Sequence, residues 1–216
     1  MNVLRWFRSG ESQKNSDERS EPVEQSCPGI ARVLGRIFES GKQPEVLDLG
    51  QLSGSAAIYL ADRGARVFVE CFEPPEDEVD AEESGEEEPV EKAALKIAQP
   101  DGKFDLVLMW EHGDFVPPER LGELMSEVRR VTAPGGFVVL FSQDRMSKEG
   151  AETDRPSSFR LEADDRILRT PHSGPPRPRW AYANRAIEQA LLPLSVQGIH
   201  LHGNRMREVV ARKPTR

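Results

Sequence analysis

The stretch Val46-Leu47-Asp48-Leu49-Gly50-Gln51-Leu52-Ser53-Gly54-Ser55 constrains this chain more than any other. A short apolar run ends in an acid, a glycine-bearing turn follows, and a helix-like segment comes next. Such a strand delivers a backbone turn and a helix N-terminus to a nucleotide-like group. Ser55 to Arg63 then presents Ala57, Ile58, Leu60 and Ala61 at helical spacing and stops at Gly64, and Arg66 to Phe72 reads as a second strand. Strand, helix, strand with tight connections is a βαβ unit, whose crossover requires a parallel sheet.

The remaining pattern continues the alternation. Pro28 suits a first helical turn, and Ile30, Val33, Leu34, Ile37 and Phe38 repeat at helical spacing up to Gly41. Val90 to Ile97 reads as a helix. Phe104 to Trp110 is a buried strand, and Pro118 to Thr132 is a helix with Leu121, Leu124, Met125 and Val128 on one face. Pro134-Gly135-Gly136 makes a turn before the strand Phe137 to Phe141. Phe159-Arg160-Leu161-Glu162 and Arg166-Ile167-Leu168-Arg169 alternate around Asp164-Asp165 as a β-hairpin would. Ala181 to Leu192 is helical, and Val196 to His202 and Arg207 to Arg212 form an antiparallel pair across Gly203-Asn204.

Charge is localised. The chain has 216 residues and a net charge of −8, but ten acids and no base lie between Glu73 and Glu88. With that run set aside the balance becomes about +2, so residues 73–89 read as an acidic disordered insert. Residues 1–27 read as a flexible leader. No apolar run is long enough to span a bilayer, and the two cysteines, Cys27 and Cys71, make neither a disulfide framework nor a zinc site. A cytoplasmic protein without a membrane segment or a metal is expected.

Three blocks together resemble the class I S-adenosylmethionine-dependent methyltransferases. They are Val46 to Gly54; Phe104 to Leu108 with Val128 to Leu140, which includes Pro134-Gly135-Gly136; and the closing helix and strand pair, Ala186 to Ala211. The resemblance covers roughly residues 28–213, with 73–89 and 142–179 as departures. It implies an α/β fold: a Rossmann-like, doubly wound, seven-stranded sheet, mostly parallel with an antiparallel last strand. It also implies S-adenosylmethionine at the carboxyl edge of that sheet. Asp48 then faces the methionine end, and Gly50, Leu52, Ser53 and Gly54 form the turn beneath it. Leu52 departs from the family's pattern, which has glycine there. The ribose acid falls on Cys71 by direct alignment, with Glu70 and Glu73 as alternatives. Asp101 is the candidate for an adenine-side acid.

Methyl transfer needs little beyond orientation, and a base only if the acceptor still holds its proton. Trp110, Glu111, His112 and Asp114 follow the fourth-strand block. Trp110 is a candidate pocket lining, and Glu111 and His112 are candidate bases; a core-capping Trp110 and an ordinary loop are the simpler readings. His200 and His202 share one strand face, which reads as solvated and not metal-binding. The Arg-rich stretch Arg155 to Arg185 could bind an anionic substrate or RNA, but it carries offsetting acids, so residues 142–179 read better as a folded lid or substrate-recognition insert with surface ion pairs.

Two functions follow. One is a methyltransferase whose acceptor the sequence does not name. The other is a catalytically inactive scaffold or regulatory partner that keeps the fold while Leu52, Cys71 and a short adenine loop close the pocket. A basic protein is the candidate partner of the acidic insert, and nucleic acid is not expected.

Overall fold

A computed structural model of the chain describes residues 21–50, 55–70, 94–144, 152–172 and 174–215. In chain order the strands are β1 (Val23–Ser26), β2 (Glu45–Asp48), β3 (Arg66–Val69), β4 (Phe104–Trp110), β5 (Thr132–Gln143), β6 (Glu152–Asp154), β7 (Ser157–Ala163), β8 (Arg166–Pro171), β9 (Arg177–Arg179), β10 (Ser195–Leu201) and β11 (Met206–Arg212). The helices are α1 (Pro28–Phe38), α2 (Ser55–Asp62), α3 (Pro118–Val131) and α4 (Asn184–Leu191).

The main sheet has six strands in the order β10-β11-β5-β4-β2-β3. Strands β3, β2, β4 and β5 pair in parallel, and β11 runs antiparallel to both β5 and β10. Helices cover both faces. Leu121, Leu124, Met125, Val128 and Val131 of α3 and Ile187 and Leu191 of α4 pack on one face with Leu47, Val107 and Val138. Ile30, Val33, Leu34 and Ile37 of α1 and Ala56 and Leu60 of α2 pack on the other with Val46, Leu106 and Val139. Each fully buried aliphatic side chain contributes roughly 1.5–3 kcal/mol relative to exposure.

Helix α1 begins with Pro28 in its first turn, and Cys27 supplies no side-chain cap. The cap comes from β11: the buried carboxylate of Glu208 accepts the Gly29 amide at 2.9 Å and the Ile30 amide at 2.6 Å. An acid at a helix N-terminus satisfies orphan amides and complements the dipole. The last strand and the first helix are thereby joined side chain to backbone.

Four sequence expectations change. The leader to residue 27 does not hold over its end: Val23–Ser26 pairs antiparallel with β8, making a three-stranded sheet β1-β8-β7 with the predicted hairpin. Edge pairing gave a polar segment a strand role its composition did not advertise. Residues 94–97, the described part of the predicted Val90–Ile97 helix, form no helix. Their amides go to side chains instead: Leu95 donates to Glu123 at 2.7 Å, Ile97 to Glu127 at 3.1 Å and Ala98 to Glu70 at 2.6 Å. Pro134-Gly135-Gly136 lies within β5, where the pairing with β4 shifts register between Thr132 and Phe137. Gly135 takes φ +78°, which favours glycine, and Lys213 and Gly136 close the bulge with a 2.8 Å backbone hydrogen bond. Finally, six strands stand where seven were expected, and the segment from Leu95 to Ala98 lies outside the sheet among the described residues. The acidic insert lies outside the described residues. Among the described residues no helix is long and apolar enough to cross a membrane.

Candidate active site at the carboxyl edge

Strands β2 and β4 are parallel neighbours, so their C-terminal ends open on the same edge. Asp48, the last residue of β2, is buried. Its Oδ1 accepts the Gly50 amide at 2.8 Å and the Trp110 indole N–H at 2.6 Å. Desolvation pushes the Asp48 carboxyl above its usual range, and these two donors oppose that shift. The site is tight. A Cβ on Gly50 would stand 2.8 Å from Asp48 Oδ1 and 2.9 Å from Trp110 Nε1, so no larger residue fits.

Trp110 ends β4 with φ +50°, a region that non-glycine residues rarely adopt. Its indole lies parallel to the rings of Phe159 (4.9 Å, 6°) and Phe141 (5.9 Å, 12°). Phe159 belongs to β7, so the hairpin β7–β8 lies against the edge of the main sheet. Trp110 is only 2% exposed, as the core-capping reading expects.

Glu70 follows β3, one strand over from Asp48. Its Oε1 accepts the Ala98 amide at 2.6 Å, while Oε2 is buried with no hydrogen-bond partner among the described residues. A buried carboxylate oxygen without a donor is costly unless a ligand or water completes it. Cys71 and Glu73, the other candidates for a ribose acid, lie outside the described residues, as do Leu52, Ser53 and Gly54. Asp101 is drawn instead to Arg130 Nη1 at 2.6 Å.

Beyond Trp110 the chain makes a 3-10 turn, His112–Phe115, where a buried ion network forms. Glu111 Oε1 accepts the Ser157 amide at 2.5 Å, and Oε2 accepts Arg169 Nη2 at 3.2 Å and Arg179 Nη2 at 3.1 Å. Asp114 accepts the Ser142 hydroxyl at 2.7 Å, the Gln143 amide at 2.7 Å and Arg179 Nη2 at 2.9 Å. Burial works against the Arg179 charge, but Glu111 and Asp114 outweigh it and raise the guanidinium above its ordinary value. The network ties the segment from β6 to β9 to the turn after β4. His112 is different: desolvation lowers it to about 4, opposed by a hydrogen bond to the Leu49 backbone and reinforced by His172. It is neutral at pH 7.

The structure therefore brings Asp48, Gly50, Glu70, Trp110, Glu111 and His112 to one sheet edge. Both oxygens of Glu111 are engaged, and His112 is a weak base. Sequence reasoning missed the roles of Arg179 and Asp114. The only signal was an arginine-rich segment with offsetting acids, which reads equally as surface pairing. His200 and His202 lie beside the cap: His200 pairs in register with Glu208, and His202 Nε2 stands 4.0 Å from its carboxylate. Among the described residues no group of three or more His, Cys, Asp or Glu could hold a metal ion.

A sequence model of the family described as "Methyltransferase domain" matches residues 47–140. Two curated relatives are the "Probable tocopherol O-methyltransferase, chloroplastic" of Oryza sativa subsp. japonica and the "Tocopherol O-methyltransferase, chloroplastic" of Arabidopsis thaliana. The first is 26% identical over 72% of this chain and 45% of its own length. The second is 31% identical over 47% of this chain and 31% of its own length. The chain thus spans less than half the length of either. Among solved structures, 1,6-didemethyltoxoflavin-N1-methyltransferase of Burkholderia thailandensis, with bound 1,6-didemethyltoxoflavin and S-adenosylhomocysteine, shares the fold at a TM-score of 0.51. It is 17% identical over 87% of this chain and 77% of that one. An S-adenosylmethionine-dependent methyltransferase from Mesorhizobium loti gives a TM-score of 0.50 at 12% identity, over 84% and 98% of the two chains. With the strand order and the glycine-turn acid already in place, these likenesses agree: residues 47–140 match the sequence model of a methyltransferase domain, on a fold shared with solved S-adenosylmethionine-dependent methyltransferases.

Proposed function

We propose that the carboxyl edge of the main sheet holds S-adenosylmethionine and that the chain is a methyltransferase. The observation that carries this is Glu70. An acid just after β3 keeps one oxygen buried and without a donor among the described residues, one strand over from an acid that accepts the Gly50 amide. Two carboxylates at adjacent strand ends suit a ligand with ribose hydroxyls at one end and an ammonium at the other. Asp48 and Gly50 would hold the methionine end and Glu70 the ribose, with Leu52, Ser53 and Gly54 completing the turn. Bound there, S-adenosylmethionine supplies an electrophilic methyl group.

The protein's own part is orientation. Glu111 is committed to Ser157, Arg169 and Arg179, and neutral His112 is too weakly basic to take a proton readily at pH 7. The acceptor must therefore bring an available lone pair or lose its proton to water. Segment 142–179 is the recognition element in this reading. We place the protein in the cytoplasm, consistent with a buried free thiol at Cys27. A basic protein remains the proposed partner of the acidic run.

One observation favours a second reading, a non-catalytic scaffold or regulatory partner. The Asp48 oxygen already takes two donors from the protein, and the turn's sequence carries Leu52 where the family has glycine. Calorimetric titration with S-adenosylmethionine and S-adenosylhomocysteine, with thermal melts in parallel, separates the two. A methyltransferase should show saturable heat, and ligand at about a hundred times Kd adds about 2.7 kcal/mol to stability. Absence of both heat and thermal shift at millimolar ligand overturns the cofactor reading.

A further inference from the structure

The donors on Asp48 are not equivalent. The Gly50 amide is local and comes with the turn. The Trp110 indole reaches across from β4, on a backbone at φ +50°, and donates at 2.6 Å, the shorter of the two bonds. Both bonds end on Oδ1, and no described residue donates to Oδ2. A carboxylate held by one oxygen has a fixed plane, so the direction of its second oxygen is fixed as well. The indole itself is held by parallel stacking on Phe159 of the hairpin and Phe141 of β5. The chain of contact runs from β7 through Phe159 and Trp110 to Asp48.

We propose that Trp110 is a positioning residue for the methionine end of the cofactor: its N–H anchors Asp48 Oδ1 and leaves Oδ2 aimed at the ligand, with Phe159 holding the indole in place. This rests on the reading that the carboxyl edge binds S-adenosylmethionine. It makes the hairpin a determinant of cofactor affinity, although the hairpin lies far along the chain from the glycine turn. It also distinguishes the two ends of the ligand, because the ribose acid, Glu70, shares no contact with Trp110 among the described residues.

The test titrates two ligands into wild type, Trp110→Phe and Phe159→Leu. S-adenosylhomocysteine carries the amino-acid end; 5′-methylthioadenosine lacks it. Trp110→Phe keeps a stacking ring and removes the N–H. Its Kd for S-adenosylhomocysteine should rise about tenfold to a hundredfold, the usual range for a hydrogen bond to a charged group. Its Kd for 5′-methylthioadenosine should stay within about twofold, since no contact of that ligand changes. Phe159→Leu should move the same ratio in the same direction. A merely structural role would weaken both ligands alike. Equal loss for both, or no loss for either, overturns the positioning role and leaves the cofactor reading standing. Failure of the wild type to bind either ligand overturns both. If the variants do not fold, near-ultraviolet circular dichroism of the wild type decides. The aromatic signal should change with S-adenosylhomocysteine and not with 5′-methylthioadenosine, and an equal response to the two overturns the role.

Discussion

Arg179 sets one guanidinium between two buried carboxylates, reaching Asp114 Oδ2 at 2.9 Å and Glu111 Oε2 at 3.1 Å. Its third acidic partner, Asp154, is 2.7 Å away but lies half exposed. Removing the arginine strands two charges in the interior, whereas removing Asp154 leaves the interior pairs intact. Arg179→Met should therefore cost about 3–5 kcal/mol in urea unfolding. Asp154→Ala should cost less than about 1 kcal/mol. Similar costs for the two variants would mean that the network is not held from inside.

Stability should depend on pH through His112. Its folded value of about 4 lies below the unfolded value near 6.5. Between those values the unfolded chain takes up a proton that the folded chain refuses, so stability is complete above pH 6.5 and falls as pH drops towards 4. Asp48, Asp114 and Glu208 are raised by burial and act in the opposite sense, in wild type and variant alike. The useful quantity is the difference in unfolding free energy between wild type and His112→Gln. It should shrink by about 1–3 kcal/mol from pH 6.5 to pH 4 and stay flat above pH 7. Parallel pH profiles would refute it.

The cap that Glu208 gives to α1 makes a paired prediction. A Cβ on Gly29 would come within 2.7 Å of Glu208 Cδ and of Val210 Cγ2, so Gly29→Ala must displace the carboxylate or the helix. Guanidinium melts should show a loss of about 1–3 kcal/mol, despite alanine's better helix propensity. Glu208→Gln keeps an acceptor and should lose less than Glu208→Ala. A neutral Gly29→Ala would show that the cap yields freely.

Arg130 holds the segment before β4. Its Nη2 donates to the Ile97 carbonyl at 2.7 Å and its Nη1 to the Gln99 carbonyl at 2.8 Å, while Glu127 pairs with it from the previous turn of α3. Arg130→Leu should speed hydrogen exchange at Leu95, Ile97 and Ala98 by roughly tenfold, with β4 and β5 unchanged. Uniform acceleration across the sheet would indicate global destabilisation instead.

Periodicity made most of the main sheet legible. Val46 to Asp48, Phe104 to Trp110 and the β10–β11 pair read as strands because each is a short apolar or alternating run between turn residues. What escaped was held by side chains. Residues 94–97 look helical in composition, but Glu123 and Glu127 take the amides of Leu95 and Ile97, and no local pattern announces carboxylates that are distant in sequence. Val23–Ser26 becomes a strand only because the hairpin offers an edge. At the site, Asp48 was readable from the glycine turn, whereas Glu111, Asp114 and Arg179 acquire their roles from burial, which residue identity does not encode.

The hydrogen bond from Ala98 to Glu70 Oε1 also works as a clasp. It fastens the chain leaving β3 to the chain about to enter β4, so whatever lies between is spliced in at a fixed joint. In general, doubling the length of a closed loop costs only about 0.6 kcal/mol. Sequence between the two residues can lengthen, shorten or accumulate charge while the sheet stays in register. Substitutions between the two residues are expected to leave the sheet intact, but the same carboxylate is the one proposed to grip the ribose. The joint that tolerates change between its ends is thus itself a place where change is costly.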